Sequence, residues 1–298
     1  MKIYDCFIFS DEKMILDIRL NVLDEYVDYF VIVESKYKHN GDIKKKKFDI
    51  EEYQKFKDKI IYIYLENEPT DLISIKTDEK EYIKNENILH NTYLRENYQR
   101  NMIFDGLSSA DEDDFIIVSD IDEIPNLKDI NFKKKKNKIF IFKQKMFYYK
   151  LNLFYKELTW TGSKACIKKK LKSPQWLRNI KSKNYKLWRL DVLFSNIKYI
   201  NINFVDNGGW HFTNMKSPEE IFDKLKSFLH NVDFKLSSLT LIDIKKMVNE
   251  KKILYDHFAD QKKINRWDSK VVLSPLNISS LPDYISSNKE KFKNWIEG

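Results

Sequence analysis

The stretch that most constrains this chain is Phe115-Ile116-Ile117-Val118-Ser119-Asp120-Ile121-Asp122-Glu123-Ile124-Pro125. Four apolar residues, three of them β-branched, run straight into acids, and a proline follows. An apolar run without alternation reads as a strand buried on both faces. Such strands belong to α/β sheets, which bind ligands beyond the carboxyl ends of their strands. Asp120 and Asp122 are two residues apart, so an extended backbone points both carboxylates the same way. Carboxylates so placed repel unless a cation sits between them. Hard oxygen ligands suit Mn²⁺ or Mg²⁺, which would hold a diphosphate on its far side. A bare Asp-x-Asp is also what a solvated turn or a helix cap looks like. The buried strand before it and Glu123-Ile124-Pro125 after it favour the metal–diphosphate reading.

The flanking sequence supplies the rest of such a sheet. Residues 2–9, Tyr29–Val33 and Ile60–Leu65 read as strands, with helices expected over about 12–25 and near 50–57. Strand–helix–strand alternation is the signature of a parallel sheet with crossover helices. Met14, Ile15, Ile18, Val22 and Leu23 share one face of the first helix. A further helix is expected over roughly 91–109, with Tyr98, Met102, Ile103 and Leu107 toward the core. After the acids, Lys133–Lys138 reads as a basic loop, Ile139–Leu153 as a long strand or hairpin, and Ala165–Ile167 as a short strand. Asn207-Gly208-Gly209-Trp210-His211-Phe212 holds the one Gly-Gly pair in a chain with six glycines. Ser217-Pro218-Glu219-Glu220 starts a helix expected to reach about His230, and the remainder reads as helices and loops.

Composition narrows the class. At 298 residues, 42% hydrophobic and 14% aromatic, the chain is globular, not disordered. A net charge of +8 favours anionic ligands such as nucleotides, acidic glycans or membrane surfaces. No nucleic-acid motif is present, so nucleic acid is not expected as a partner. Two cysteines, Cys6 and Cys166, make no disulfide framework and leave a single bridge open. No apolar stretch approaches the roughly 20 residues of a membrane helix, which leaves peripheral contact as the route to a membrane. Met1-Lys2-Ile3-Tyr4 leads directly into a strand with no signal-peptide pattern, so the expected location is a reducing cytoplasm.

Three blocks, taken together and in order, carry a family resemblance. The first is Lys2-Ile3-Tyr4-Asp5-Cys6-Phe7, with Ile18-Arg19-Leu20 and Phe30-Val31-Ile32-Val33-Glu34-Ser35. The second runs from Gln99-Arg100-Asn101 to Ser119-Asp120-Ile121-Asp122-Glu123-Ile124-Pro125. The third is Gly209-Trp210-His211-Phe212 with Pro218-Glu219-Glu220-Ile221 and Lys224-Leu225. Over about residues 1–230 the chain resembles glycosyltransferase family 17, of the GT-A superfamily. The resemblance implies an α/β, GT-A-type, Rossmann-like nucleotide-sugar domain, with a mainly parallel central sheet flanked by helices and a helical C-terminal extension. Residues 1–230 would form the catalytic domain, with 1–125 as nucleotide-binding half and 126–230 as acceptor half, and 231–298 packed on it. The implied reaction is a metal-dependent, inverting transfer of a sugar from a UDP-sugar to a glycan hydroxyl; the family implies UDP-N-acetylglucosamine. A metal-dependent nucleotidyltransferase or phosphohydrolase acting on a nucleotide-sugar is the alternative, since those also use strand-end acids. Against it, this chain has no Gly-rich phosphate loop. Animal members of the family carry a membrane anchor and lumenal stem, and a free-standing bacterial or viral version is expected here.

Candidate roles follow. Asp120 and Asp122 are expected metal ligands. His211 is the third, an imidazole suiting Mn²⁺ better than Mg²⁺, or else a packed histidine beside Trp210. Arg100 and Asn101 resemble the pair that touches the nucleotide in GT-A enzymes; otherwise Arg100 pairs with Glu96, four residues earlier. Glu34 binds ribose or uracil, or is a loop acid. Arg19 reaches the diphosphate or faces solvent. Gly162 lets backbone approach the donor sugar or is an ordinary turn glycine, and Trp210 stacks on a sugar or fills core. The base an inverting transfer needs is assigned to Asp191, with Glu123, Glu157 and Asp206 as rivals.

Overall fold

The front of the molecule is built on four parallel strands: β1 (Ile3–Phe9), β2 (Tyr29–Ser35), β3 (Ile60–Leu65) and β4 (Phe115–Asp120). In this computed structural model residues 1–135, 138–186, 188–227, 234–235, 237–259, 265–267 and 269–298 are described. Every residue of β4 short of Asp120 is buried, as its unbroken apolar run requires. Alternate residues of β1 feed two cores: Tyr4 and Cys6 enter one, Phe7 and Phe9 the other. Helix α1 (Lys13–Leu23) covers the Phe7 side with Ile15, Leu16, Ile18, Leu20 and Leu23. The other side is covered by α2 (Glu81–Asn101) and its 3₁₀ continuation Met102–Leu107, where Ile103 and Leu107 are buried. Helix α2 starts ten residues before the expected 91; none of residues 81–90 is buried, and the side chains it does bury are polar: Asn91, Thr92, Gln99 and Arg100.

Beyond the acids the chain distributes strands between two sheets. These are β5 (Glu123–Pro125), β6 (Ile139–Phe142), β7 (Gln144–Tyr148), β8 (Leu153–Trp160), β9 (Lys164–Ile167), β10 (Ile202–Val205), β11 (Gly209–Thr213) and β12 (Ser274–Pro275). The larger sheet runs β10-β6-β9-β4-β1-β2-β3 and the smaller β12-β8-β7-β11-β5. The larger sheet is mainly parallel, as expected, with β9 set antiparallel between β4 and β6; the smaller mixed sheet was not expected, and in it β11 pairs parallel with β7 but antiparallel with β5. The apolar stretch 139–153 is no continuous strand; its second part, β7, forms a hairpin with β8. The stretch changes sheet at Lys143, with β6 in one and β7 in the other. The Gly-Gly pair permits the seam. A Cβ on Gly208 would lie 2.8 Å from the Lys143 backbone nitrogen, and Gly209, at φ +129°, abuts the Ile124 carbonyl.

Among the described residues four short helices and two longer ones follow: α3 (Pro174–Asn179), α4 (Leu190–Leu193), α5 (Pro218–Ser227), α6 (Leu241–Asn249), α7 (Asp283–Ser287) and α8 (Lys289–Phe292). Helix α5 starts as expected, with the Ser217 N–H donating to the Glu220 carboxylate at 2.8 Å; its expected end near His230 lies outside the described residues, as do 136–137 of the basic loop. Ile221 and Leu225 of α5, Ile244 of α6, and Ile253 and Leu254 form a third core against β7 and β8, while Ile285 and Phe292 join the α1 core. Cys6 and Cys166 are both buried and free. They stand on β1 and β9, either side of β4, two strand spacings apart and offset by two residues along β4, so at least roughly 9.5 Å and beyond disulfide reach. Among the described residues no helix is long and apolar enough to cross a membrane.

Candidate active site

The acids occupy the crossing between the sheets. Asp120 ends β4 in the larger sheet and Glu123 begins β5 in the smaller, with Ile121 and Asp122 between. Arg19 fixes this crossing from below. It is fully buried on α1, donating from Nε and Nη2 to the Asp5 carboxylate at 2.7 and 2.6 Å. Its Nη1 donates to the carbonyls of Asp120, Ile121 and Glu123 at 3.0, 3.1 and 2.8 Å. Arg19 therefore does not face solvent, and its guanidinium is shared between Asp5 and the backbone of the acidic turn.

Asp120 lies between two arginines. Arg178 donates from Nη2 to Oδ2 at 2.8 Å, and Arg100 from Nη2 to Oδ1 at 2.9 Å. Burial alone would raise the Asp120 pKa, but Arg178 and then Arg100 outweigh it and hold the carboxyl well below its usual range. Arg178 also forks onto Glu123, at 2.5 and 2.9 Å, and Trp160 Nε1 donates to the same carboxylate at 2.6 Å. Gly162 packs directly on this group, where a Cβ would overlap the Glu123 carboxylate and the Trp160 indole. The glycine thus serves the Glu123 contact. Lys164 on β9 donates to the carbonyls of Arg178 and Ile180 at 2.5 Å each, capping the end of α3 that carries Arg178. Burial, with Arg178 adding to it, pulls the Lys164 pKa down to about 7.

Asp122 meets His211. Strand β11 lies antiparallel to β5 with His211 opposite Glu123, and the Phe212 N–H donates to the Asp122 carbonyl at 2.8 Å. This sets His211 Nε2 3.5 Å from Asp122 Oδ2, with the imidazole 4.8 Å from the Trp160 ring. Burial disfavours the imidazolium, yet the Asp122 charge outweighs it and raises the His211 pKa. The same pair, helped by Lys224 of α5, lowers Asp122 against its own burial. His211 Nδ1 is buried with no hydrogen-bond partner among the described residues. A carboxylate oxygen and an imidazole nitrogen facing one another are a donor set that suits Mn²⁺. The expected trio is not assembled, because both Asp120 oxygens are spent on arginines, and among the described residues no three His, Cys, Asp or Glu side chains converge as a metal cage. Two protein ligands with the remaining positions left to phosphate and water is ordinary for Mg²⁺-type sites.

The other sequence candidates sit as follows. Arg100 does pair with Glu96, at 2.7 Å, while also holding Asp120. Asn101 Oδ1 accepts from the Gln175 N–H at 3.0 Å, tying α2 to α3. Glu34 is buried and filled from within: it accepts from Lys44 at 2.7 Å, from the N–H groups of Lys47 and Phe48 at 2.8 and 3.0 Å, and from Tyr62 at 3.0 Å. Trp210 packs on the core and donates to the Ser280 carbonyl at 2.9 Å. Asp191 is exposed on α4, forked by Arg189 at 2.7 Å and reached by Lys198 at 2.8 Å, which hold its carboxyl low. Glu157 is exposed on β8, and Asp206 is exposed and paired with Lys143. Sequence reading missed Arg178, Trp160 and Lys164. The available signal was Ser173-Pro174, a helix start that puts Arg178 one turn on.

A pocket of about 220 Å³, lined by Trp160, Thr161, Gly162, Lys164, Arg178 and Ser182, opens beside the acids. A larger depression of about 370 Å³, at Asp24–Tyr29 and Asp58–Lys59, lies at the amino ends of β2 and β3, the wrong end for a ligand in an α/β sheet.

No curated protein sequence matches the chain. Glycosyltransferase family 17 matches it over residues 1–298, further than the blocks within 1–230 that carried the resemblance. With acids at a strand end and a match along its whole length, the chain belongs to glycosyltransferase family 17 and is a glycosyltransferase.

Proposed function

We propose that the protein moves N-acetylglucosamine from UDP-N-acetylglucosamine to a glycan hydroxyl, with inversion and in a metal-dependent reaction. The observation that carries the reading is the Asp122–His211 pair at the joint of the two sheets, in a chain of this family. Asp122 and His211 would hold Mn²⁺ or Mg²⁺, which when bound supplies a Lewis acid toward the leaving diphosphate. Arg178 and Arg100 keep Asp120 ionised and fixed, so the turn needs no rearrangement as charge develops on UDP. Arg178, on the pocket wall, adds a planar cation beside that charge. The pocket takes the sugar ring, with Trp160 as its apolar side. In this reading residues 1–125 serve the nucleotide and 126–230 the acceptor, with 231–298 packed behind. Family membership displaces the nucleotidyltransferase and phosphohydrolase alternative.

The test is thermal stabilisation by UDP- and GDP-sugars, with and without Mn²⁺, in wild type, Asp122→Asn and His211→Ala. A bound donor raises the unfolding free energy by RT ln(1 + [L]/Kd), about 2.7 kcal/mol at a hundredfold excess over Kd. The expected result is a Mn²⁺-dependent shift with UDP-N-acetylglucosamine that both variants lose. A shift that survives in both variants places the cation elsewhere. Release of UDP only alongside a glycosylated acceptor identifies transfer, as against hydrolysis.

A further inference from the structure

Residues 188–194 present an apolar surface that the fold leaves uncovered. Trp188, Leu190, Leu193 and Phe194 are 71, 70, 70 and 89% exposed, within seven residues of chain. Val192 alone in the short helix α4 turns inward and is buried, so Leu190 and Leu193 are held outward by the anchor between them. Other exposed large apolar residues, such as Ile43, Tyr82 and Ile242, are scattered, and single ones are normal. A contiguous group marks a contact surface.

The charge around it says what kind. Between Lys181 and Tyr199 the chain carries Lys181, Lys183, Lys186, Arg189 and Lys198 against one acid, Asp191. That acid is already neutralised by Arg189 and Lys198. Lys186 lies 4.6 Å from the Trp188 ring, and Lys172 borders the segment through Asn196 at 3.2 Å. Aromatic and leucine side chains ringed by lysines are what seats a protein at the headgroup level of an anionic bilayer. A second copy of this chain is the poorer occupant, because a twofold contact would set these cations against themselves.

We propose that residues 181–186 and 188–199 dock the protein on an anionic lipid surface, with Trp188, Leu190, Leu193 and Phe194 entering the headgroup layer and the surrounding lysines meeting lipid phosphates. The segment follows α3 directly, and its Ser182 lines the pocket that Arg178 also lines, so docking brings the pocket to the bilayer. The docking does not depend on which sugar the site transfers.

Vesicle flotation tests this, using the full chain with phosphatidylcholine vesicles and with vesicles of phosphatidylcholine and phosphatidylglycerol, at low and high salt. Wild type is expected to float with the anionic vesicles, less so at high salt and little with the neutral ones. Trp188→Ser combined with Phe194→Ser, and separately Lys183→Ser combined with Lys186→Ser, are each expected to weaken binding by roughly tenfold or more. Leu190→Ser serves as a milder variant, and thermal unfolding checks that each variant is folded, since the replaced side chains are exposed. Absence of flotation overturns the proposal. So does binding that ignores Trp188→Ser with Phe194→Ser, which is plain Coulombic adsorption of a basic protein. A dimer seen by sedimentation velocity that the apolar variant dissolves, with vesicles ignored, assigns the surface to a second copy instead.

Discussion

Arg178 donates from Nη2 to Oδ2 of Asp120 at 2.8 Å, so the first acid of the triplet is neutralised before any ligand arrives. The same guanidinium serves Glu123, which has no exposed surface. Arg178→Met leaves both carboxylates without this cation and is expected to cost about 3–5 kcal/mol of stability. Arg178→Lys keeps charge but loses the fork and should recover only part of it. Urea denaturation of the two variants measures the difference; equal stability for Arg178→Met and wild type would mean that the pair is not formed.

The Arg19–Asp5 pair is deeper still, with no exposure on either side chain. Arg19→Met is expected to destabilise by about 3–5 kcal/mol through the orphaned Asp5 charge. Adding Asp5→Leu should restore a substantial share, because the double variant has no buried charge left to desolvate. The three carbonyls of the acidic turn lose Arg19 in both, so donor-induced stabilisation should stay impaired even where folding recovers. Denaturation and donor titration on the same two proteins separate these effects.

Gly162→Ala forces a methyl group into the Glu123 carboxylate and the Trp160 indole. Overpacking of this kind costs about 1–3 kcal/mol. The displaced group is Glu123, so the loss should be accompanied by weaker donor binding. A neutral Gly162→Ala would show that the Glu123 carboxylate yields freely, contrary to its contacts with Arg178 and Trp160.

Lys164 gives a pH signature. Its pKa falls from 10.5 to about 7 on folding, chiefly through burial. Between pH 7 and pH 10.5 the unfolded chain therefore binds more protons than the folded one, and stability rises with pH across that window. The contribution is on the order of 4–5 kcal/mol, fully present above the unfolded pKa and lost as pH falls toward the folded one. The difference in unfolding free energy between wild type and Lys164→Met should grow in favour of wild type across this range. A pH-independent difference would mean that the amine stays protonated in its carbonyl cap.

The parallel half of the larger sheet was legible because strands buried on both faces are written as unbroken apolar runs, and β4 announced the acids at its end. The split of 139–153 between two sheets was not, because the apolar residues continue across Lys143 and nothing local marks the change. The early turns of α2 were hidden because none of residues 81–90 is buried, and the first side chains it buries, Asn91 and Thr92, are buried for their hydrogen bonds and not for apolar area. His211 could be picked out beside its Gly-Gly pair, and the fold does bring it to Asp122. Charged residues such as Arg19 and Glu34 could be found but not aimed, because their partners come from distant strands and loops. Arg178 reaches Asp120 across 58 positions of chain, from a six-residue helix too short to show a period.

Asp122 is one of only two residues bridging β4 to β5, so a ligand gripping its carboxylate gains purchase on both layers at once. Donor occupancy should therefore slow amide exchange in β9 and β11 together, and a protein stripped of its donor should breathe along that seam.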